Sequence, residues 1–399
     1  MTPGKLKGAR ERALMNILHT SDWHLRDRDI EEAEKCLKHL ADTAMTEAVD
    51  LAVISGDIFD SQEVRLDSRA AKLAVKAVSA LADTCPVAII IGTPSHDGRA
   101  PDILAYVRGR HRVHVAAVPG QVEMAGAVLT LIPQPTKQYF QSEGGIQRGD
   151  LAIGAAMSHL FAGFGAKAAG KRPHILVYHG GVSGARLPNG HVPIGMEIEV
   201  STDQLMLANP DLGCLGHLHL RQQIGDRFFY AGPIYATKID ETGPNGFWIH
   251  DLDIHRPNPW VWKFIETPGK KIVRLEHDFT IEGSIKDLDI VLYAIHHEDI
   301  KGAFIRLDFK AWQDEAAQLD REKIREFYLS VGALDVDLRI VRVPRQTVRS
   351  AEVLRVDRLR DKLRAMAGLR GEEVSETVLS KADALEDRSA EELLGEVAR

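Results

Sequence analysis

Five short polar clusters carry most of the chemistry this chain could do. They are Asp22-Trp23-His24, Gly56-Asp57, Ser95-His96-Asp97, His179-Gly180-Gly181 and Gly216-His217-Leu218-His219, and each follows an apolar run. Asp22 and His24 are two residues apart, so in extended backbone their side chains leave the same side, as do those of His217 and His219. A carboxylate beside an imidazole suits Mn, Fe or Zn better than Mg or Ca. Asp57 follows a glycine that lets the chain turn and bring its carboxylate forward. One carboxylate there could bridge two metals about 3.5–4 Å apart, the spacing of two-metal phosphate chemistry. Each cluster alone has a plainer reading: Asp57 as a helix N-cap, a lone strand-end histidine as a satisfied polar group. Five in succession, each behind an apolar strand, point instead to a two-metal phosphoesterase.

The elements that must position these clusters are legible as an α/β pattern. Met15–His19, Leu51–Ile54 and Pro86–Ile91 read as strands, separated by helical stretches over Ile30–Val49 and Leu66–Ala82. Strands that are aliphatic throughout are those buried on both faces, and this alternation predicts parallel pairing. Further strands are expected at Val113–Val118, Ala127–Ile132, His174–His179, Leu212–Leu215, Arg227–Ala231, Gly246–Leu252 and Trp260–Phe264, with a Gly/Ala-rich helical segment over 139–170. Ligands of open α/β sheets gather at the carboxyl ends of strands, which is where the clusters fall. The first domain closes near Glu266-Thr267-Pro268-Gly269. A small α+β unit follows, with strands at Ile290–Ile295, Ala303–Phe309 and Val336–Val343 and a helix over Asp320–Ser330.

Composition narrows the class. With 399 residues, 44% hydrophobic and 27% charged, the chain is long enough for one large domain and a smaller one. A net charge of -7 excludes a general polyanion binder, so any nucleic-acid contact needs a local basic face. Cys36, Cys85 and Cys214 are odd in number and lack CxxC spacing, which argues against a disulfide framework or a structural zinc site and for reduced thiols in the cytoplasm. No apolar run approaches the roughly 18 residues of a membrane span. The basic stretch Met1–Met15 has no apolar segment of the kind a secretory signal needs. Near the C-terminus the charge reverses: ten basic against three acidic residues from Leu338 to Arg370, then nine acidic against three basic to Arg399. Val356, Leu359, Leu363 and Met366 form an apolar stripe within the basic part. That part is either a solvated helix face or a phosphate-binding one.

The run Asp22-x-His24, Gly56-Asp57-x-x-Asp60, His96-Asp97, His179 and Gly216-His217-x-His219 resembles the calcineurin-like metallophosphoesterases over about Asn16 to Phe264. The words His19-Thr20-Ser21-Asp22-Trp23-His24-Leu25 and Gly56-Asp57-Ile58-Phe59-Asp60 resemble the SbcD-type exonucleases of double-strand-break repair. The resemblance implies a β-sandwich flanked by helices over residues 15–268, after a lead-in over 1–14. It also implies a small α+β capping domain over 269–345 and a helical partner-docking tail over 346–399. It implies one metal held by Asp22, His24, Asp57 and His219, and a second by Asp57, His179 and His217 with a ligand from the third motif. His96 would lie against the scissile phosphate and Asp97 would orient its ring. Water activated by the two metals, Mn by resemblance, would attack phosphorus in line.

The third motif departs from the family's Gly-Asn-His-Asp. It reads Gly92-Thr93-Pro94-Ser95-His96-Asp97, with Ser95 where the ligating Asn is expected. Ser95 is either a weaker hydroxyl ligand of the second metal or a residue that shapes the turn. Asp60 reads as a supporting carboxylate or a cap rather than a ligand; Trp23 and Arg26 read either as groove-lining or as buried structure. The expected activity is that of a DNA exonuclease and endonuclease, with DNA, an SbcC-type SMC-like ATPase and a second copy of the chain as partners and no membrane. The alternatives are a small-molecule phosphodiesterase or phosphatase of the same fold, and an inactive metal-site scaffold that binds DNA.

Overall fold

The structure is a computed structural model of the chain and describes residues 15–136, 150–187, 198–238, 241, 243–253, 260–293, 300–345 and 356–387. The lead-in over 1–14, the basic residues Arg349 and Arg355, and Leu393 and Leu394 of the tail lie outside them. By contact density the chain forms two compact units. One comprises residues 1–276, 290–308 and 321–339, and the other residues 277–289, 309–320 and 340–399.

Two six-stranded sheets make up most of the first unit. Numbered in chain order, the described strands begin with β1 (Met15–Thr20), β2 (Leu51–Ile54), β3 (Val87–Ile90), β4 (Val113–Ala116), β5 (Gly120–Met124), β6 (Ala127–Ile132) and β7 (His174–His179). They continue with β8 (Gly181–Val182), β9 (Glu199–Val200), β10 (Leu212–Gly216), β11 (Gln222–Ile224), β12 (Phe228–Tyr230), β13 (Gly246–Leu252) and β14 (Trp260–Glu266). One sheet has the order β14-β13-β1-β2-β3-β4 and the other β11-β12-β10-β7-β6-β5, while β8 and β9 pair alone. From β1 to β4 the pairing is parallel, as the strand-helix alternation predicts. In the other sheet β6, β7, β10 and β12 run parallel between antiparallel edges.

The inner faces of these sheets share one apolar core. Ile17, Val53 and Ile90 of the first sheet join Leu129, Val177 and Cys214 of the second. The next residue along β1, Leu18, points the other way, into a core beneath the helices Ile30–Thr46 and Arg69–Thr84. The helix Asp150–Ala168 covers the outer face of the second sheet through Met157 and Phe161. Both faces of the central strands are thus covered, which is why they read as unbroken aliphatic runs. Truncating one of these buried aliphatics to alanine is expected to cost about 2–5 kcal/mol. Cys36, Cys85 and Cys214 are buried free thiols in these cores. The second helix starts at Arg69 rather than Leu66 because the Ser68 hydroxyl accepts from the Ala71 N–H.

Toward the C-terminus, β15 (Lys271–Asp278), β16 (Ala303–Trp312) and β17 (Asp335–Val343) form a three-stranded sheet in that order. The strand expected at Ile290–Ile295 is instead a helix, Leu288–Tyr293. A short apolar run does not by itself distinguish the two. The decisive local signal is the capping box just upstream, where Ser284 and Asp287 satisfy each other's backbone N–H groups.

In the second unit, the charge reversal of the C-terminal sequence becomes a pair of helices, Leu359–Arg370 and Glu376–Asp387. Arg360 bonds to both Glu376 and Asp383, Arg358 reaches Asp387 at 3.0 Å, and Arg364 pairs with Glu376 at 3.6 Å. Arg345 pairs with Asp314 and Glu315. These four arginines answer acidic groups of their own chain. Met366, Val378 and Leu385 of the helix pair remain exposed.

Candidate metal centre

All five clusters fall just beyond the carboxyl ends of parallel strands. Asp22 and His24 follow β1, Asp57 follows β2, the third motif follows β3, His179 ends β7 and His217 follows β10. The backbone there is forced out of ordinary conformations. Asp22, His24, Asp57 and His217 have φ of 52°, 42°, 53° and 103°, the left-handed region that side chains avoid unless surrounding bonds hold them there. The holding bonds are present: Asp22 N–H donates to the Gly56 carbonyl and His24 N–H to the Asp57 carbonyl, both at 3.0 Å. Gly92 is required by close approach, since a Cβ there would fall on the backbone nitrogen and Oδ1 of Asp57.

These turns bring carboxylate oxygens and ring nitrogens together in three overlapping groups: Asp22, His24 and His219; His24, Asp57 and His96; and Asp57, His179 and His217. Within each group the ligand atoms lie within 4.8 Å of one another. Asp57 is common to two of them. Its Oδ2 is 3.8 Å from His24 Nε2 on one side and 3.4 Å from His179 Nε2 on the other. His24 and His219 approach each other through their Nε2 atoms at 2.9 Å. Buried lone pairs converging in this way, from carboxylates and imidazoles, fit divalent cations.

The electrostatics are those of a site built for added positive charge. Burial and the neighbouring His219 hold the His24 ring well below its ordinary pKa. Burial would also lower His179, but the Asp57 carboxylate outweighs it and pushes that ring up to about 9. Burial opposes ionisation of Asp57, yet His179 and His24 hold its carboxyl well below the usual range. Asp22 is raised, chiefly by burial and against the pull of His219 and His179.

The third motif differs from its expected arrangement in two respects. Ser95, expected in the ligand set, is exposed, and its carbonyl accepts from Gln62 N–H at 3.1 Å. It is the Thr93 hydroxyl that reaches the centre, 3.0 Å from Asp57 Oδ2 and 3.3 Å from His179 Nε2. Asp97 does not orient His96. Its carboxylate accepts from the backbone N–H groups of Asp57 (3.0 Å), Gly92 (2.8 Å) and Phe59 (2.9 Å), fixing the loop that carries Asp57. Burial, then the charge of Asp57, push Asp97 up to about 7. The His96 ring is held by the Asp60 carbonyl, 2.9 Å from its Nδ1. The carbonyl can only accept, so that contact places a proton on Nδ1.

Sequence reasoning missed Glu241. This buried carboxylate accepts from His219 Nδ1, from the Thr237 N–H at 2.7 Å and from its hydroxyl at 3.0 Å. A carboxylate on the far nitrogen fixes which ring nitrogen faces the centre. No motif marks Glu241, which lies on a loop well beyond His219. Trp23 is fully buried with its Nε1 donating to Thr20 Oγ1. Arg26 is tied to Asp29, Asp60 and the Thr237 carbonyl. Trp23 is thus buried structure, while Arg26 is part-buried and held by these contacts.

Comparison with known proteins agrees with this geometry. The calcineurin-like phosphoesterase family model matches residues 15–228. The SbcD component of the SbcCD nuclease of Staphylococcus epidermidis is 23% identical over 294 residues, covering 69% of this chain and 74% of that protein. The corresponding SbcCD nuclease component of Bacillus subtilis is 28% identical over 256 residues, covering 57% of this chain and 64% of that one. Among solved structures, a dimetal phosphatase from Danio rerio aligns with a TM-score of 0.41 at 13% identity, covering 63% of this chain and 96% of that one. With more than half its length matched by the family model, and with its metal-binding residue types converging at the strand ends, the chain belongs to the calcineurin-like phosphoesterase family.

Proposed function

We propose that this chain is a two-metal DNA phosphodiesterase, an exonuclease and endonuclease that processes broken ends together with an SMC-like ATPase. The observation that carries the reading is Asp57 Oδ2 standing between His24 and His179, at 3.8 and 3.4 Å, as a bridging carboxylate does. Asp22, His24, Asp57 and His219 would hold one cation, and Asp57, His179 and His217 the other. Mn suits this mixture of oxygen and imidazole donors. When bound, the two cations neutralise phosphate charge and activate water.

The chain's own groups do the rest. Asp97 fixes the Asp57 loop, Glu241 fixes the His219 ring, and the Asp60 carbonyl aims His96. A His96 ring with Nδ1–H given to Asp60 and Nε2 protonated can donate to the phosphate or to the leaving oxygen. The DNA substrate is supported by the two relatives, both components of a nuclease. That each relative is one component of a larger nuclease supports an assembly, and the exposed Met366, Val378 and Leu385 of the C-terminal helix pair give a partner something apolar to cover. The reading includes residues 15–268 as the catalytic domain, 269–345 as a cap and 346–399 as the docking tail. It includes a homodimer acting in cytoplasmic DNA double-strand-break repair.

The test is incubation of the purified chain with Mn and linear duplex DNA, with and without a chelator. Chelator-sensitive nucleotide release is expected. Hydrolysis of a small phosphodiester with no release from DNA would overturn the nuclease reading in favour of a small-molecule enzyme. Two bound metals with neither activity would leave a scaffold.

A further inference from the structure

The geometry points to Thr93 as a ligand of the second metal, its hydroxyl supplying the neutral oxygen beside Asp57, His179 and His217. This rests on the two-metal reading above and concerns a residue outside the acid-and-imidazole set.

Thr93 is locked in place from its backbone. Its N–H donates to Asp57 Oδ1 at 2.5 Å, so the residue cannot swing away without releasing the central carboxylate. Gly92, immediately before it, has no room for a side chain against Asp57. The hydroxyl that results lies 3.0 Å from Asp57 Oδ2 and 3.3 Å from His179 Nε2. His179 Nδ1 is 2.6 Å from the Ser55 carbonyl, which can only accept, so Nδ1 carries a proton and Nε2 is the ring atom turned toward Asp57 and Thr93. Asp57 Oδ2, Thr93 Oγ1 and His179 Nε2 therefore face one another within 3.4 Å. A divalent cation is the species that a carboxylate oxygen, a hydroxyl oxygen and an imidazole nitrogen converging in this way can all meet. Ser95 has no such placement, being exposed and engaged through its carbonyl. A neutral hydroxyl contributes less than a carboxylate, so the Thr93 side is the weaker of the two positions.

Titrating metal-free protein with Mn by calorimetry, with Mn electron paramagnetic resonance as a second readout, tests this without reference to turnover. Wild type is expected to bind two equivalents, the second more weakly. Thr93→Val, which keeps shape and removes the hydroxyl, should weaken the second equivalent by about ten-fold or more and leave the first near its original affinity. Thr93→Ser, which keeps the hydroxyl, should bind both as wild type does, and so should Ser95→Ala. Unchanged binding of both equivalents by folded Thr93→Val would overturn the proposal. A loss in Thr93→Ser equal to that in Thr93→Val would do so as well, since the hydroxyl would then not be the cause. If wild type binds fewer than two equivalents, the two-metal reading fails and this inference with it. If the Thr93 effect is seen in a protein that does not cut DNA, only the choice of substrate falls.

Discussion

His96 takes its orientation from Asp60 rather than from its neighbour Asp97: its Nδ1 meets the Asp60 carbonyl at 2.9 Å, while both Asp97 oxygens are occupied by backbone N–H groups. The two adjacent residues thus have different partners, His96 the Asp60 carbonyl and Asp97 the backbone of the loop that carries Asp57. Replacing each should leave a different trace.

His96→Ala should lower turnover by about 10²–10⁴-fold, the range for losing a positioned acid or base. Because the ring belongs to the half-buried rim of the cluster, Mn affinity should stay within a few-fold of wild type. Calorimetric titration beside the DNA assay separates the two effects, and a parallel loss of metal would make His96 a ligand.

Asp97→Ala should act through folding. It leaves the N–H groups of Asp57, Phe59 and Gly92 buried without their acceptor, at roughly 1–3 kcal/mol each. Urea unfolding of the metal-free protein should show a drop of about 3 kcal/mol or more. A variant as stable as wild type that had lost only turnover would restore Asp97 to a direct role on His96.

Glu241→Gln should weaken Mn binding by about 10–100-fold, the range for a carboxylate behind a metal-binding histidine. The amide keeps the shape but can no longer accept at every position where Thr237, Lys238 and His219 now donate. Equal Mn isotherms for variant and wild type would show that the His219 ring is held by its other contacts.

Acid sensitivity should come partly from the sandwich interior. Burial keeps His19 at about 3 and His250 well below its ordinary value, so neither takes a proton in the folded chain near neutrality. The unfolded rings do, near pH ~6.5, so their contribution is intact above that value and declines as the pH falls below it. The loss is about 1.4 kcal/mol per pH unit for each ring. His250 packs on Phe229 and Trp248. His250→Phe should keep that packing and, between pH ~7.5 and ~5.5, lose about 1.4 kcal/mol less stability than wild type. Urea midpoints at the two pH values check this, and identical losses would refute it.

Much of this candidate site was readable in the sequence because its carboxylates and imidazoles follow strands whose aliphatic runs are unmistakable. Asp22, His24, Asp57, His179, His217 and His219 all lie just after such runs and converge as their spacing suggests. The rest of the site depends on contacts without a linear signature. Thr93 and Ser95 are both hydroxyl residues in one turn, and only the path of that turn decides which faces Asp57. Asp97 follows His96 in sequence, yet its carboxylate turns to the backbone of Asp57, Phe59 and Gly92. Glu241 reaches His219 through a loop. The basic and acidic segments of the tail were legible as charge, but not as two helices that neutralise each other. The strand Lys271–Asp278 carries a weak signal, since its burial alternates over only part of its length.

The three buried cysteines have a practical consequence for spectroscopy. Burial pushes Cys36 and Cys85 up to about 12 and Cys214 higher still, so none offers a thiolate to a maleimide or methanethiosulfonate reagent while the chain is folded. A cysteine placed at the exposed Ser95 would be the thiol that such a reagent meets first. The Ser95→Cys chain thus accepts a single spin label or fluorophore beside the candidate metal centre without prior removal of the buried cysteines.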